Sequence, residues 1–416
     1  RTPELTDDEW LRVVDDAIEA GVLEAVVTGG EPFLRRDLAF EVLERLDAAG
    51  VAIYLNTNGW FVDDDVADRM ARLAGLHVFI SIDGATAERH DAARGVPGSW
   101  RRAVLATSRL LERGVPARAV QVVTPENHHE VERSLDLFWE LGVPAVHLAP
   151  VSLIGAAARG GDWLVDRYGV AAVVERARER YEPAMSIQLR GGDSDGFDPL
   201  LAAPATFLVR PDGVVRISSS VPFSFGHVRD GLTPAWQQIR ERWDGPEVRG
   251  WIDAVRRRSE LNKAAVVPYL DEDAPIAPAV EPTPGGRGAD RLRPAPVRAT
   301  VEDAEAFVRD LALGRRYRLG EVRWTDAGDG GRFVHCRPTE TMTRLNATAA
   351  VVMGAATPGE ALETLKARHP SVGEDRLRHD VLRAVRMLLA RSILVPEAAV
   401  DARPRGAAEP AAALTA

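Results

Sequence analysis

Residues 23–32, LEAVVTGGEP, contain the pattern from which the fold class follows. The apolar run Leu23–Val27 leads into Gly29-Gly30-Glu31-Pro32, and a helical apolar pattern then extends from Asp37 to Ala49. An apolar run that passes through glycines into a helix is typical of one strand–helix unit of an α/β protein. The stretch therefore predicts a βα unit with its glycines at the carboxyl end of the strand.

The same unit recurs along the first 150 residues. Further apolar runs begin near Ala52, Leu76, Ala117 and Ala145, with helical patterns between them. Strands that are apolar throughout and alternate with helices indicate a parallel sheet covered by helices. We therefore predict an α/β fold with five βα units within residues 5–150.

The segments after these runs are the expected place for chemistry, because ligands of parallel α/β folds bind beyond the carboxyl ends of the strands. The five segments are Thr28–Pro32, Thr57–Gly59, Ser81–Gly84, Thr124–Asn127 and Pro150–Gly155. In the first, two glycines allow a ligand to approach the backbone, and the proline holds Glu31 extended. We expect the Glu31 carboxylate to point into the barrel mouth, although a tight turn with a capping carboxylate explains the segment equally well.

Two other strand ends carry polar candidates. Ser81 and Asp83 alternate on one face and suit a ribose diol or an amino group, although an N-cap for the next helix is an equally good explanation. The strand between the Glu31 and Ser81 segments ends in Asn56–Gly59, where Asn58 adds an amide. Taken alone, this segment is an ordinary turn.

Composition excludes several classes of protein. The chain has 416 residues and a net charge of −10, from 52 basic and 62 acidic side chains, which argues against binding nucleic acid. Only Lys263 and Lys366 are lysines, so the arginine excess is spread along the chain. No run of 18 apolar residues exists, and we expect a cytoplasmic protein with no membrane partner.

The cysteine content limits the metal chemistry. Cys336 is the only cysteine, so these residues alone make no disulfide framework, four-cysteine zinc site or cysteine-ligated iron–sulfur cluster. We predict no metal site in this chain, and a buried, inert Cys336 in an alternating strand. No G-x-G-x-x-G follows a strand and no Gly-Lys pair occurs, which argues against ordinary dehydrogenases and kinases.

Taken together, three strand-end segments resemble the radical S-adenosylmethionine (radical SAM) superfamily, in its peptide-modifying branch with a SPASM-type extension. The carrying sequences are TGGEPFLRRDL (28–38), YLNTNG (54–59) and ISIDGATAERHDAARGVPGSW (80–100). The resemblance implies a partial (βα)6 TIM-like barrel over residues 1–200, here lacking its first strand. It also implies these cofactor-binding residues: Gly29, Gly30, Glu31, Asn58, Ser81, Asp83 and Arg94.

The resemblance further implies the chemistry and the partners. The cofactors would be S-adenosylmethionine and a 4Fe-4S cluster, whose C-x-x-x-C-x-x-C ligands we expect upstream of Arg1. The full-length enzyme would form a 5′-deoxyadenosyl radical that abstracts hydrogen from a precursor peptide, with a ferredoxin or flavodoxin as electron donor. Without the cluster cysteines, we expect the chain as given to be inactive. The alternative is a cluster-free scaffold or escort protein that binds S-adenosylmethionine or peptide.

The rest of the chain divides at a proline-rich segment. Residues 201–270 resemble a SPASM extension without cysteines, with a hairpin turn at Pro211-Asp212-Gly213 and Ser218 where a cluster cysteine is common. Residues 271–300 read as a linker, from which we expect few contacts between the domains.

After the linker, residues 301–396 form a small α+β, winged-helix-like unit, and residues 397–416 a disordered tail. The unit resembles the PqqD-like RiPP recognition element at Tyr317–Leu319, Leu345–Ala349 and Arg391–Leu394. That family binds the leader of a precursor peptide as an added strand. The alternative is an ordinary winged-helix-like packing domain.

Overall fold

The computed structural model describes residues 3–150, 167–182, 184–189, 204–217, 223–250, 253 and 301–398. The predicted linker, Ser218 and residues 399–416 of the predicted tail lie outside these ranges.

The first domain is a parallel sheet whose six strands stand in the order of the chain. The strands are β1 (Glu24–Val27), β2 (Ala52–Thr57), β3 (Leu76–Ser81), β4 (Ala117–Val123), β5 (Ala145–Pro150) and β6 (Ser186–Leu189). The helices are α1 (Asp7–Glu19), α2 (Arg36–Ala48), α3 (Asp64–Met70), α4 (Ala87–Arg94), α5 (Ser99–Glu112), α6 (Val131–Leu141) and α7 (Arg167–Tyr181). The predicted α/β partial barrel is confirmed, and β6 is a strand that we did not locate from the sequence.

The two faces of the sheet differ in what they bury. Ile53, Leu55, Val78 and Ile80 belong to the core on the helix-covered face and are fully buried. The opposite face carries aromatic side chains, and the rings of Tyr54 and His77 stack with 5.4 Å between their centroids. The helices therefore cover one face, while the other lines the inside of the partial barrel.

The extension packs against the first helix. Its strands β7 (Leu208–Val209) and β8 (Val215–Arg216) form an antiparallel pair around the predicted Pro211–Gly213 turn. Helix α8 (Leu232–Arg242) follows. Arg229 Nε donates to Glu9 Oε1 at 2.6 Å, which joins this unit to α1.

The C-terminal domain contains the α+β elements expected from its sequence. Its helices are α9 (Val301–Leu313), α10 (Ala347–Gly354), α11 (Pro358–Arg368) and α12 (Glu374–Ala390). Its strands are β9 (Tyr317–Leu319), β10 (Val322–Asp326), β11 (Arg332–Cys336), β12 (Thr341–Leu345) and β13 (Leu394–Pro396). Strands β10, β11 and β12 form an antiparallel sheet in that order, and Cys336 is fully buried in its core, as predicted.

The expectation of few contacts between the domains is wrong. Ala304 and Val308 of α9 belong to the hydrophobic core of the barrel, because α9 packs against α5 and α6. The guanidinium of Arg315 donates to Ser108 Oγ at 3.1 Å, and Arg386 binds barrel carbonyls. The linker made the domains look independent, but the apolar face of α9 is completed by the barrel. Among the described helices, none has the length and apolar character needed to cross a bilayer.

Candidate functional site

Three of the predicted site segments lie at the same end of the sheet, whereas residues 151–155 of the fifth segment lie outside the described ranges. Gly30 follows β1, Asn58 follows β2, and Ser81 ends β3, and the three strands are adjacent and parallel. Gly30 and Ser81 therefore lie at the same, carboxyl, end of the sheet, as the sequence predicted. This end is where α/β proteins bind their ligands.

The glycine pair after β1 leaves its backbone open. Gly29 has φ +155°, and a Cβ at Gly29 or Gly30 would meet nothing within 4 Å. Both residues are exposed. The backbone groups of this turn are therefore accessible to a ligand.

Of the two explanations left open for Glu31, the structure matches the capping carboxylate. Its Oε1 accepts hydrogen bonds from the Thr57 hydroxyl at 2.8 Å and the Phe33 N–H at 3.3 Å, and its Oε2 accepts from the Asn58 N–H at 2.8 Å. The side chain is 9% exposed. The carboxylate thus caps the turn after β1 and ties it to the end of β2, because three donors converge on it. Its part in cofactor binding stays a prediction.

Asn58 is exposed at the end of β2. Its Oδ1 accepts from the Trp60 N–H at 2.8 Å, which closes an Asx-turn. Its Nδ2 has no hydrogen-bond partner within the described ranges. The amide therefore has two remaining donors for a ligand beside the open glycine turn.

Asp83 is held at each of its polar groups. Its N–H donates to His90 Nδ1 at 2.9 Å, and its carbonyl accepts from Asn127 Nδ2 at 3.0 Å. Its Oδ1 accepts from the Val122 N–H at 3.0 Å, and its Oδ2 lies 2.7 Å from Arg94 Nε. The backbone N–H, the backbone carbonyl and both carboxylate oxygens of Asp83 are therefore each bound within the protein.

Arg94 carries the positive charge of the site. Its side chain is 34% exposed while that of Asp83 is 9% exposed, so the pair is buried at the carboxylate and open at the arginine. In the described part of the chain, only Nε of the guanidinium has a partner, and its terminal nitrogens remain for a carboxylate. Ser81, partly exposed, ends the strand that leads to this pair.

Sequence reasoning missed two residues that build the site. His90 and Asn127 are each 2% exposed, and they bind the backbone N–H and the backbone carbonyl of Asp83, respectively. Asn127 also accepts the Thr124 N–H at 2.8 Å through Oδ1. The signal for Asn127 was its place in a strand-end segment, whereas a single histidine in a polar helix gave no signal that distinguished it.

Comparison with known proteins identifies the class of the first domain. A family model described as the Radical SAM superfamily matches residues 1–138. The AdoMet-dependent heme synthase of Methanosarcina barkeri is 32% identical over 145 residues, covering 35% of this chain and 41% of that protein. Residues 1–138 therefore form a radical SAM domain.

Peptide-modifying enzymes are also among the relatives. The PqqA peptide cyclase of Granulibacter bethesdensis is 29% identical over 188 residues, covering 44% of this chain and 50% of that protein. The PqqA peptide cyclase of Rhizobium meliloti is 27% identical over 273 residues, covering 62% of this chain and 72% of that protein. The chain spans half or less of the length of the heme synthase and of the Granulibacter cyclase. The cofactors of the radical SAM superfamily are S-adenosylmethionine and a 4Fe-4S cluster.

The residues present fit one of these cofactors. The open glycine turn, the exposed amide of Asn58 and the guanidinium of Arg94 suit the amino, carboxylate and ribose groups of S-adenosylmethionine. The cluster is different, because the sequence has one cysteine and that thiol is buried in β11. Within the described residues no group of three His, Cys, Asp or Glu side chains could hold a metal ion. The 416 residues by themselves do not fit a cluster that needs three thiolates.

Proposed function

We propose that this protein acts in radical SAM modification of a ribosomally synthesised precursor peptide, with its first domain binding S-adenosylmethionine. The observation that carries the proposal is the convergence of Gly29-Gly30, Asn58 and Ser81 at the carboxyl ends of three adjacent strands, where Arg94 of α4 pairs with Asp83. When bound and reductively cleaved, S-adenosylmethionine supplies a radical that abstracts hydrogen. The similarity to PqqA peptide cyclases supports a peptide as the substrate.

The residues of this chain would bind and orient the cofactor. Backbone groups at Gly29 and Gly30 would receive its amino group, and the Arg94 guanidinium its carboxylate. Asn58 and Ser81 would hydrogen-bond the remaining polar groups. Glu31 and Asp83 would act by fixing the geometry of these contacts, because their carboxylates are already bound within the protein.

The C-terminal domain is proposed to bind the leader of the peptide. Its three-stranded sheet has two outer strands, β10 and β12, with no further strand partner among the described residues. Phe333 and Met342 are 40% and 67% exposed on this sheet. Open strand edges beside exposed apolar side chains suit the addition of an extended peptide.

The cofactor proposal is tested by titrating the 416-residue chain with S-adenosylmethionine in a calorimeter. We expect saturable binding, and we expect no 5′-deoxyadenosine after anaerobic iron–sulfide reconstitution and dithionite, because three thiolates are missing from these residues. A form that includes the residues encoded upstream should produce it. If that form also lacks a cysteine loop, the scaffold alternative replaces the enzyme. No binding of S-adenosylmethionine would refute the proposed site.

The leader proposal is tested on the full chain, since the C-terminal domain packs against the barrel. Short peptides encoded beside the gene are titrated with wild type and with Met342→Glu, which places a charge on β12. Ala367→Glu adds the same charge to an exposed position of α11 and serves as the control. We expect only the first substitution to weaken binding. Absence of binding at tens of micromolar would leave the domain with a packing role.

A further inference from the structure

Two residues of α4 hold Asp83 at different points. His90 and Arg94 lie one helical turn apart, so their side chains leave the same face of the helix. His90 Nδ1 accepts the Asp83 backbone N–H at 2.9 Å, and Arg94 Nε lies 2.7 Å from the Asp83 carboxylate. The helix therefore fixes both the backbone N–H of Asp83 and its carboxylate.

The turn after Asp83 lies unusually close to this helix. A Cβ at Gly84 would lie 2.7 Å from Arg89 Cγ, 2.8 Å from Arg89 Cβ and 3.1 Å from the backbone nitrogen of His90. Only glycine permits this approach. The close packing places the Asp83 N–H within reach of the His90 ring.

The hydrogen bond requires a neutral imidazole. To accept at Nδ1, His90 must carry its proton on Nε2. His90 is 2% exposed, and burial lowers its pKa to about 4. The ring is therefore an acceptor at neutral pH.

We propose that His90 is a positioning residue for S-adenosylmethionine, holding the Asp83 turn so that Arg94 presents its terminal nitrogens to the carboxylate of the ligand. The inference rests on the proposed function. His90 would not touch the ligand, since its contact is with the Asp83 backbone. Its effect would pass through the Asp83–Arg94 pair.

The test compares substitutions that keep or remove the acceptor. Asn places its Oδ1 close to the position of Nδ1, whereas Leu has no acceptor and the amide of Gln sits one methylene farther out. We expect His90→Leu and His90→Gln to raise the Kd of the 416-residue chain for S-adenosylmethionine about tenfold. His90→Asn should restore it to within about threefold. His129→Leu, at an exposed histidine, is the control and should bind as wild type.

A second readout needs no ligand. Amide hydrogen exchange at Asp83, measured by NMR, should quicken in His90→Leu and stay slow in His90→Asn. If His90→Leu fails to fold, His90→Gln takes its place in both measurements.

The outcomes separate the two levels of the proposal. Wild type that does not bind S-adenosylmethionine overturns the proposed function and the positioning role together. Wild type that binds, with His90→Leu and His90→Gln binding equally well, overturns the positioning role alone. The same holds if His90→Asn loses as much affinity as His90→Leu.

Discussion

The guanidinium of Arg386 lies over the ring of Trp139, 4.0 Å from its centroid, and so joins the C-terminal domain to the barrel. Arg386 is 8% exposed and donates to the Val143 carbonyl at 2.9 Å, as well as to carbonyls of Trp139 and Ala184. Burial lowers its pKa to about 9, and it remains charged at neutral pH. Its partners belong to the ends of α6 and α7, which precede β5 and β6. The C-terminal domain is thus held at the amino ends of these strands, opposite the candidate site.

Replacement of Arg386 should weaken the attachment of the two domains. Arg386→Met removes the donor and leaves buried carbonyls unpaired, so we expect the free energy of unfolding to fall by about 2–3 kcal/mol. Urea unfolding followed by far-UV circular dichroism measures this. Arg383→Met changes an exposed arginine of the same helix and should have little effect. An unchanged midpoint for Arg386→Met would show that the contact is not stabilising.

His90 should make stability depend on pH. Burial lowers its pKa from 6.5 to about 4, so the folded chain binds this proton less tightly than the unfolded chain. Asp83 and Asp91 oppose the shift, while Arg94 adds to it. The contribution of neutral His90 is complete above pH 6.5 and is lost as the pH falls toward 4, by at most about 3 kcal/mol.

The comparison of wild type with His90→Asn isolates this contribution from other titrating groups. The difference between their free energies of unfolding should shrink between pH 6.5 and pH 4, because only wild type must take up the extra proton on unfolding. Denaturant unfolding at several pH values measures it. A difference that does not vary with pH would contradict the prediction.

A methyl group at Gly84 should disturb the turn that carries Asp83. In Gly84→Ala the new Cβ would lie 2.7 Å from Arg89 Cγ, and we expect a loss of about 1–3 kcal/mol from overpacking. Thermal unfolding compares it with Gly373→Ala, where a Cβ meets nothing within 4 Å. Equal melting temperatures for the two variants would rule out a close contact at Gly84.

Glu31→Gln should destabilise the turn after β1. The amide has one acceptor oxygen where the carboxylate has two, so its NH2 group would face the N–H of either Asn58 or Phe33. We expect a cost of about 1–3 kcal/mol. Glu24→Gln, on the exposed face of β1, is the matched control and should unfold as wild type in urea. Stability equal to that of the control would mean that the Glu31 network is dispensable.

The fold followed from the sequence because its strands and helices are regular. The apolar runs predicted near Ala52, Leu76, Ala117 and Ala145 are strands β2 to β5 of the structure. They could be recognised because a strand that is buried against helices is apolar over most of its length. Strand β6, only Ser186–Leu189, was missed because a short strand with two exposed residues gives a weak signal. The packing of helix α9 on the barrel was not expected, because its amphipathic pattern does not reveal which surface covers it.

The candidate site was predicted at the level of segments but not of contacts. Asp83 and Arg94 were both chosen from the sequence, and the structure pairs them across eleven residues. The sequence could not decide between the two explanations of Glu31, because the donors Thr57 and Asn58 come from another strand. His90 was missed because its acceptor role depends on the close approach allowed at Gly84.

The position of α9 bears on how such proteins can be recombined. The helix follows the proline-rich segment in sequence, yet Ala304 and Val308 complete the core of the barrel. If the chain were replaced from residue 301 onward by the C-terminal domain of another protein, the barrel would lose α9 and with it part of its own core. A transplant that begins after Leu313 would leave this helix in place, and Arg386 and Trp139 would have to be matched in the two parents.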